Sequence, residues 1–266
     1  YNKFGYGDRY TSGFLYWYHN SAVRQVAGRM WDWSLEPTAA LYAAQNACEP
    51  LHPQFDYLKN TVSVVNDHYR GYRVTAEVYD LDMRRIDAQS ARVDLPEDGV
   101  ANDVLTLDFA ASKTPVQFIK LKLFDEQGRQ AGSNFYWRSD NEYKGANTLT
   151  GPATAGFQAL GELARTKVAA SYRTSVNGGN HFIDLRLKNT GRTVAFFTQI
   201  QWLPDERRKP VRPSFYTDNF LCLMPGESRT VRIETALGKL PEAEYTLVVR
   251  GFNLDTREFK VKIDRP

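Results

Sequence analysis

The run that ends at Trp17, Tyr18, His19 and Asn20 sets an indole, an imidazole and an amide close together. Those types suit sugar recognition, because a flat ring covers the apolar face of a pyranose while polar nitrogens serve its hydroxyls. If the run is a strand of a parallel barrel, its carboxyl end faces the active site, which makes Trp17, His19 and Asn20 candidate substrate-binding residues. An aromatic plug inside the barrel wall would use the same residues, and both readings stay open at this level.

Elsewhere the groups that perform catalysis do not assemble. Glycoside hydrolysis needs two carboxylates about 5–9 Å apart across a cleft. A nucleophilic hydrolase needs Ser or Cys beside His and an orienting group. Asn141-Glu142 has the residue types of an acid/base pair but stands in the polar stretch Ser139-Asp-Asn-Glu-Tyr-Lys144, where a solvated turn is expected. Glu36 and Glu49 flank a helix and suit capping or surface roles, while His52, His68 and His181 read as linker or sheet-surface residues. Cys48 and Cys222 have no Cys or His neighbour at ligand spacing, so buried thiols are expected, and neither a metal nor an organic cofactor is suggested. Arg207-Arg-Lys209 reads as a hairpin tip.

Composition narrows the class. The chain of 266 residues is 42% hydrophobic and 24% charged, which describes a globular protein of about two domains. The formal charge of +3 comes from 34 basic and 31 acidic residues distributed along both halves, so no nucleic-acid partner is expected. No apolar run approaches the roughly 20 residues of a membrane span. Aromatic residues make up 13%, and Trp17, Trp31 and Trp33 crowd the opening.

The elements that would position these residues change character near residue 50. Ser12 to His19 is apolar on both faces, as a strand buried on two sides would be. A helix follows Pro37, running from Thr38 to about Cys48 and stopped by Pro50. A lone strand and helix have no sheet to complete them, so residues 1–50 read as the end of something larger. From Leu51 the period becomes two, with strands expected at Thr61–Asn66, Tyr72–Tyr79, Val104–Phe109, Val116–Phe124 and Ser133–Trp137. Lys120 and Lys122 alternating with Ile119, Leu121 and Leu123 predict one wet and one buried face.

Residues 51–140 therefore form a first immunoglobulin-like β-sandwich and 141–165 a linker with a short helical turn at Phe157–Leu163. A second sandwich over 166–266 opens with a hairpin at Asn177-Gly-Gly-Asn180, the strongest short-range signal in the chain. Further strands are expected at Val194–Trp202, Phe220–Leu223, Ser228–Thr235, Glu244–Phe252 and Glu258–Ile263, with a turn at Met224-Pro-Gly-Glu227.

Three stretches, in order, resemble a known family: Ser12 to Asn20, Gly28-Arg-Met-Trp-Asp-Trp-Ser-Leu-Glu-Pro-Thr-Ala-Ala-Leu-Tyr42 and Ala47-Cys-Glu-Pro-Leu-His52. They are similar to the last strand, connector and last helix of the (β/α)8 barrel of glycoside hydrolase family 2, in the branch of exo-β-glucosaminidases, β-mannosidases and endo-β-mannosidases. Ala195-Phe-Phe-Thr-Gln-Ile200, Tyr216-Thr-Asp-Asn-Phe220 and Leu223-Met-Pro-Gly-Glu-Ser-Arg-Thr-Val231 resemble the terminal immunoglobulin-like domain of the same enzymes. The resemblance implies a mainly β chain: two immunoglobulin-like sandwiches preceded by the last βα unit of the barrel.

It further implies a retaining β-glycosidase whose two catalytic carboxylates lie upstream, so that no catalytic residue falls in this chain and its partners are the upstream barrel and amino-terminal domains. The substrate would be an oligosaccharide or glycan, with Trp17 and Asn20 near it. Enzymes of this kind usually work outside the cytosol, in a periplasmic, secreted or lysosome- or vacuole-like setting. Where relatives often carry a second aromatic after the Asn, this chain has Val23 and Arg24, which leaves the sugar open. The competing expectation is a non-catalytic carbohydrate-binding or adhesive tandem of the two sandwiches, with Tyr136, Trp137 or Trp202 as an exposed platform.

Overall fold

The computed structural model describes residues 15–16, 19–24, 29–66, 70–95, 99–140, 152–204, 210–240 and 244–263. The chain divides into two compact units, Tyr1–Gly161 and Glu162–Pro266. Of the strand expected over residues 12–19, Leu15, Tyr16 and His19 are described and none is in a strand; the others lie outside the described residues.

In the first unit, helix α1 (Ala39–Ala47) is capped by Thr38, whose hydroxyl accepts from Ala40 N, and it buries Tyr42. Three strands, β1 (Leu51–Asp56), β2 (Thr61–Asn66) and β5 (Gly99–Thr106), form one antiparallel sheet in the order β1-β2-β5. Strands β3 (Arg70–Asp80), β4 (Arg85–Leu95), β6 (Val116–Phe124) and β7 (Gln130–Ser139) form a second, in the order β4-β3-β6-β7. Phe55, Val62 and Val64 of the first sheet belong to one core with Val74, Ala76, Val78, Ile119, Leu121 and Leu123 of the second, the arrangement of a β-sandwich.

Edge strands β1 and β7 are stitched across the sandwich by polar groups. Asn134 Nδ2 donates to Tyr136 Oη at 2.7 Å and lies 3.3 Å from His52 Nε2, and Tyr57 Oη donates to the Trp137 carbonyl at 3.3 Å. Burial pushes the Tyr136 hydroxyl up to about 12.

In the second unit, β8 (Val168–Asn177), β9 (Asn180–Asn189), β11 (Phe215–Tyr216) and β13 (Ser228–Ala236) form one sheet in the order β11-β13-β9-β8. The other contains β10 (Ala195–Pro204), β12 (Leu221–Leu223), β14 (Tyr245–Gly251) and β15 (Leu254–Val261) in the order β12-β10-β14-β15. Gly178 and Gly179 take φ of 57° and 79° in the β8–β9 hairpin, the paired left-handed conformation that a tight hairpin requires. Met224 to Glu227 closes a turn through the Glu227 N to Met224 O bond at 2.9 Å, with Gly226 at φ 80°.

Several expectations are corrected. His52 and His181 are buried, not surface residues: His181 is 0% exposed and stacks on Trp202 at 5.5 Å, and Trp202 in turn lies 5.2 Å from Tyr245. The imidazole behaves here as a flat core ring. Lys120 is 3% exposed, so the wet face expected of β6 is covered there; Lys120 sits opposite Glu77 and Phe135, between a carboxylate and a ring. Cys48 is exposed and Cys222 half-buried, not the buried thiols expected. Strands β1, β4 and β11 were not anticipated, and β5 lies at Gly99–Thr106 where Val104–Phe109 was expected. A 3-10 helix at Pro152–Glu162 occupies and lengthens the expected helical turn.

Candidate functional site

The described residues from His19 to Thr38, 19–24 and 29–38, are held by local hydrogen bonds. Asp32 organises the far end: Ser34 N, Ser34 Oγ and Glu36 N donate to Asp32 Oδ1 at 2.7, 2.8 and 2.9 Å. Asp32 N donates to the Glu36 carbonyl at 2.9 Å, and Leu35 closes the turn with a left-handed φ of 60°. The turn carries Trp33 at its tip, 48% exposed, with the Arg24 guanidinium 5.5 Å above the indole ring.

Trp31 is the hub of the near end. Its amide donates to the His19 carbonyl at 3.1 Å, and single bridges pair it with Asn20 on one side and Pro37 on the other. The indole also stacks on the His19 ring at 6.1 Å and 30°. Thr38 ties these residues to α1, since its amide donates to the Met30 carbonyl at 3.0 Å and its hydroxyl bonds the Arg29 carbonyl while capping the helix.

The structure therefore brings His19 and Asn20 together, both exposed, beside Trp31. Trp17 lies outside the described residues. Trp31, Trp33 and Arg24 are the members that sequence reasoning left without a role. The crowding of tryptophans and the Asp32-x-Ser-x-Glu36 spacing were the signals that could have found them.

The His19–Trp31 stack, the Arg24–Trp33 pair and the Asn20 amide supply groups that can cover and hydrogen-bond a sugar, while Asp32 is engaged by backbone and hydroxyl donors. Among the described residues no group of three or more His, Cys, Asp or Glu is placed to hold a metal ion. No described helix is long and apolar enough to cross a membrane. The platform expected of an adhesive tandem is not formed by Trp202, which is 0% exposed.

Comparison with known proteins adds the family. Residues 147–254 match the exo-β-D-glucosaminidase Ig-fold domain. The chain is 28% identical over 257 residues to an exo-β-D-glucosaminidase of Streptomyces avermitilis, covering 91% of this chain and 28% of that protein. It is 24% identical over 314 residues to a mannosylglycoprotein endo-β-mannosidase of Lilium longiflorum, covering 95% of this chain and 32% of the relative. The crystal structure of the Amycolatopsis orientalis exo-chitosanase shares the fold, with a TM-score of 0.81 and 24% identity over 94% of this chain and 31% of that one.

The chain thus spans about a third or less of the length of these relatives. It is homologous to the carboxyl-terminal region of the exo-β-D-glucosaminidase and β-mannosidase branch of glycoside hydrolase family 2, and its residues 147–254 match the exo-β-D-glucosaminidase Ig-fold domain.

Proposed function

We propose that the chain is the carboxyl-terminal part of a retaining β-glycosidase that cleaves β-mannosidic or β-glucosaminidic bonds of glycans. On this reading residues 1–50 supply the last strand and helix of the barrel, and sandwiches over 51–140 and 166–266, joined by a linker over 141–165, buttress it. The observation that carries the reading is the exposure of the described apolar residues between positions 15 and 35. Leu15, Tyr16, Val23, Trp33 and Leu35 are five of the nine large hydrophobic residues exposed among those described, although this segment is a small part of the chain. Exposed apolar side chains gathered in one segment support a reading in which the rest of the enzyme covers them, and the same segment carries rings and an amide suited to a sugar.

Two carboxylates in the rest of the enzyme would perform the double displacement, one forming the glycosyl-enzyme and the other protonating the leaving oxygen before it activates water. Trp17, His19 and Asn20 would line the pocket, with Trp31 holding His19 and Asn20 in place through its backbone pairing.

The test compares p-nitrophenyl β-D-glucosaminide and β-D-mannoside turnover by this chain alone and by the chain joined to the preceding region of its gene product. No turnover is expected alone and turnover of one glycoside when joined. Asn20→Ala in the joined protein should lower kcat/KM roughly tenfold, the worth of one hydrogen bond to substrate. Turnover by the chain alone, or none by the joined protein, would overturn the reading.

A further inference from the structure

Ile183, Leu185 and Leu187 of β9 are fully buried, so the intervening Asp184, Arg186 and Lys188 stand on the opposite, solvent side of the sheet. The strand register sets Arg186 between Ser171 of β8 and Thr230 of β13, Lys188 between Ala169 and Ser228, and Asp184 between Arg173 and Arg232. Four cations, Arg173, Arg186, Lys188 and Arg232, thus share this face of β8, β9 and β13 with two acids, Asp184 and Glu234.

Both acids are already engaged. Arg232 grips Asp184 with two bonds of 2.7 and 2.9 Å, which holds the Asp184 carboxyl below its usual range, and Glu234 accepts from Asn180 Nδ2 at 2.7 Å. Arg173, Arg186 and Lys188 are exposed and pair with no acid among the described residues. Charge that is evenly mixed along the sequence is therefore sorted onto one face by the two-residue period of the strands, leaving three unmatched cations with hydroxyls beside two of them.

We propose that this face binds a linear acidic polysaccharide, with Arg173, Arg186 and Lys188 taking its carboxylates and Ser171, Ser228 and Thr230 its hydroxyls. Charge complementarity selects an anionic chain, and the planar guanidinium fork matches a carboxylate. The rings argue for a polysaccharide over a nucleic acid: Phe182 lies under the Arg232 guanidinium at 5.6 Å, and Phe215 pairs with Glu234, two cross-strand rows from Arg186. Phe215 is exposed, but among the described residues the rows that hold Arg173, Arg186 and Lys188 carry no ring on which a base could stack.

The test measures binding of the full chain to immobilised carboxymethyl-dextran, with unmodified dextran and duplex DNA as parallel surfaces. The original chain is compared with R186E/K188E, with R186Q/K188Q and with R92E/K113E, which makes the same change in net charge as the first on exposed residues of the other unit. Thermal melts confirm that each variant is folded.

Binding to carboxymethyl-dextran and not to dextran is expected, weakening roughly tenfold or more between about 50 and about 200 mM salt as counter-ions at three contacts are released. R186E/K188E should lose roughly tenfold or more, R186Q/K188Q a smaller part in the same direction, and R92E/K113E less than about twofold. Equal binding to dextran, tighter binding to DNA, no binding to carboxymethyl-dextran at the lower salt, or equal losses in R186E/K188E and R92E/K113E would each overturn the proposal.

Discussion

The core of the second sandwich and the described residues of 19–38 use the same kinds of residue to opposite ends. In the sandwich, Trp202 is 0% exposed between His181 and Tyr245, and every strand around it belongs to a continuous ladder. In the other region, Trp31 is held by single bridges and Trp33 is 48% exposed over a turn organised by one carboxylate. Burial of apolar area stabilises the first region by itself; the described part of the second is held by hydrogen bonds and leaves Trp33 and Leu35 exposed. The contrast teaches that rings read from a sequence as alike can be enclosed in a core or stand exposed on a hydrogen-bonded turn.

Breaking the finished side should cost most. Trp202→Ala is expected to lower stability by about 3–5 kcal/mol, measured as a shift in the urea midpoint, since it removes the largest fully buried side chain. Asn189→Ala should follow at about 2–4 kcal/mol, because Asn189 Nδ2 donates to the Thr193 and Leu223 carbonyls at 2.8 Å each and its Oδ1 accepts from Gly191 N at 3.0 Å, all beside buried backbone.

A smaller effect, sharpened by pH, is expected at His52. Burial lowers its pKa, partly opposed by its bond to the Asn46 backbone at the end of α1. A depressed histidine is favoured as the neutral form in the folded state, so its contribution is fully present above the unfolded value near 6.5 and is lost as pH falls below it. Urea midpoints taken from neutral pH downward should decline through that window, and His52→Gln should flatten the decline. Trp33→Ala should change the stability of this chain by less than about 0.5 kcal/mol, as a surface substitution does; a loss comparable to Trp202→Ala would erase the contrast.

How much of this was legible follows from how local each signal is. Strands β2 and β6 fall where alternation places them, and the β8–β9 hairpin follows from its Asn-Gly turn. Strand β4 escaped because its pattern is mostly exposed or half-buried, as an edge strand's is, and β1 because Pro53 argues against a strand unless it sits at an edge. The burial of Lys120 and His181 depends on what covers a face, which periodicity does not report. At the candidate site, residue type found His19 and Asn20, whereas the role of Trp31 comes from pairing across eleven and twelve positions of the chain and has no local signature.

The most direct test of the central claim, that residues 19–38 are completed by a surface outside this chain, is amide hydrogen exchange across the two regions. Exchange is measured on the chain alone and on the chain joined to the preceding region of its gene product. The account predicts weak protection of residues 19–24 and 29–38 alone, strong protection when joined, and unchanged protection of β9, β10 and β13 in both. Protection of residues 19–38 that is already as strong as that of the sandwich in the chain alone, or that does not rise on joining, would contradict it.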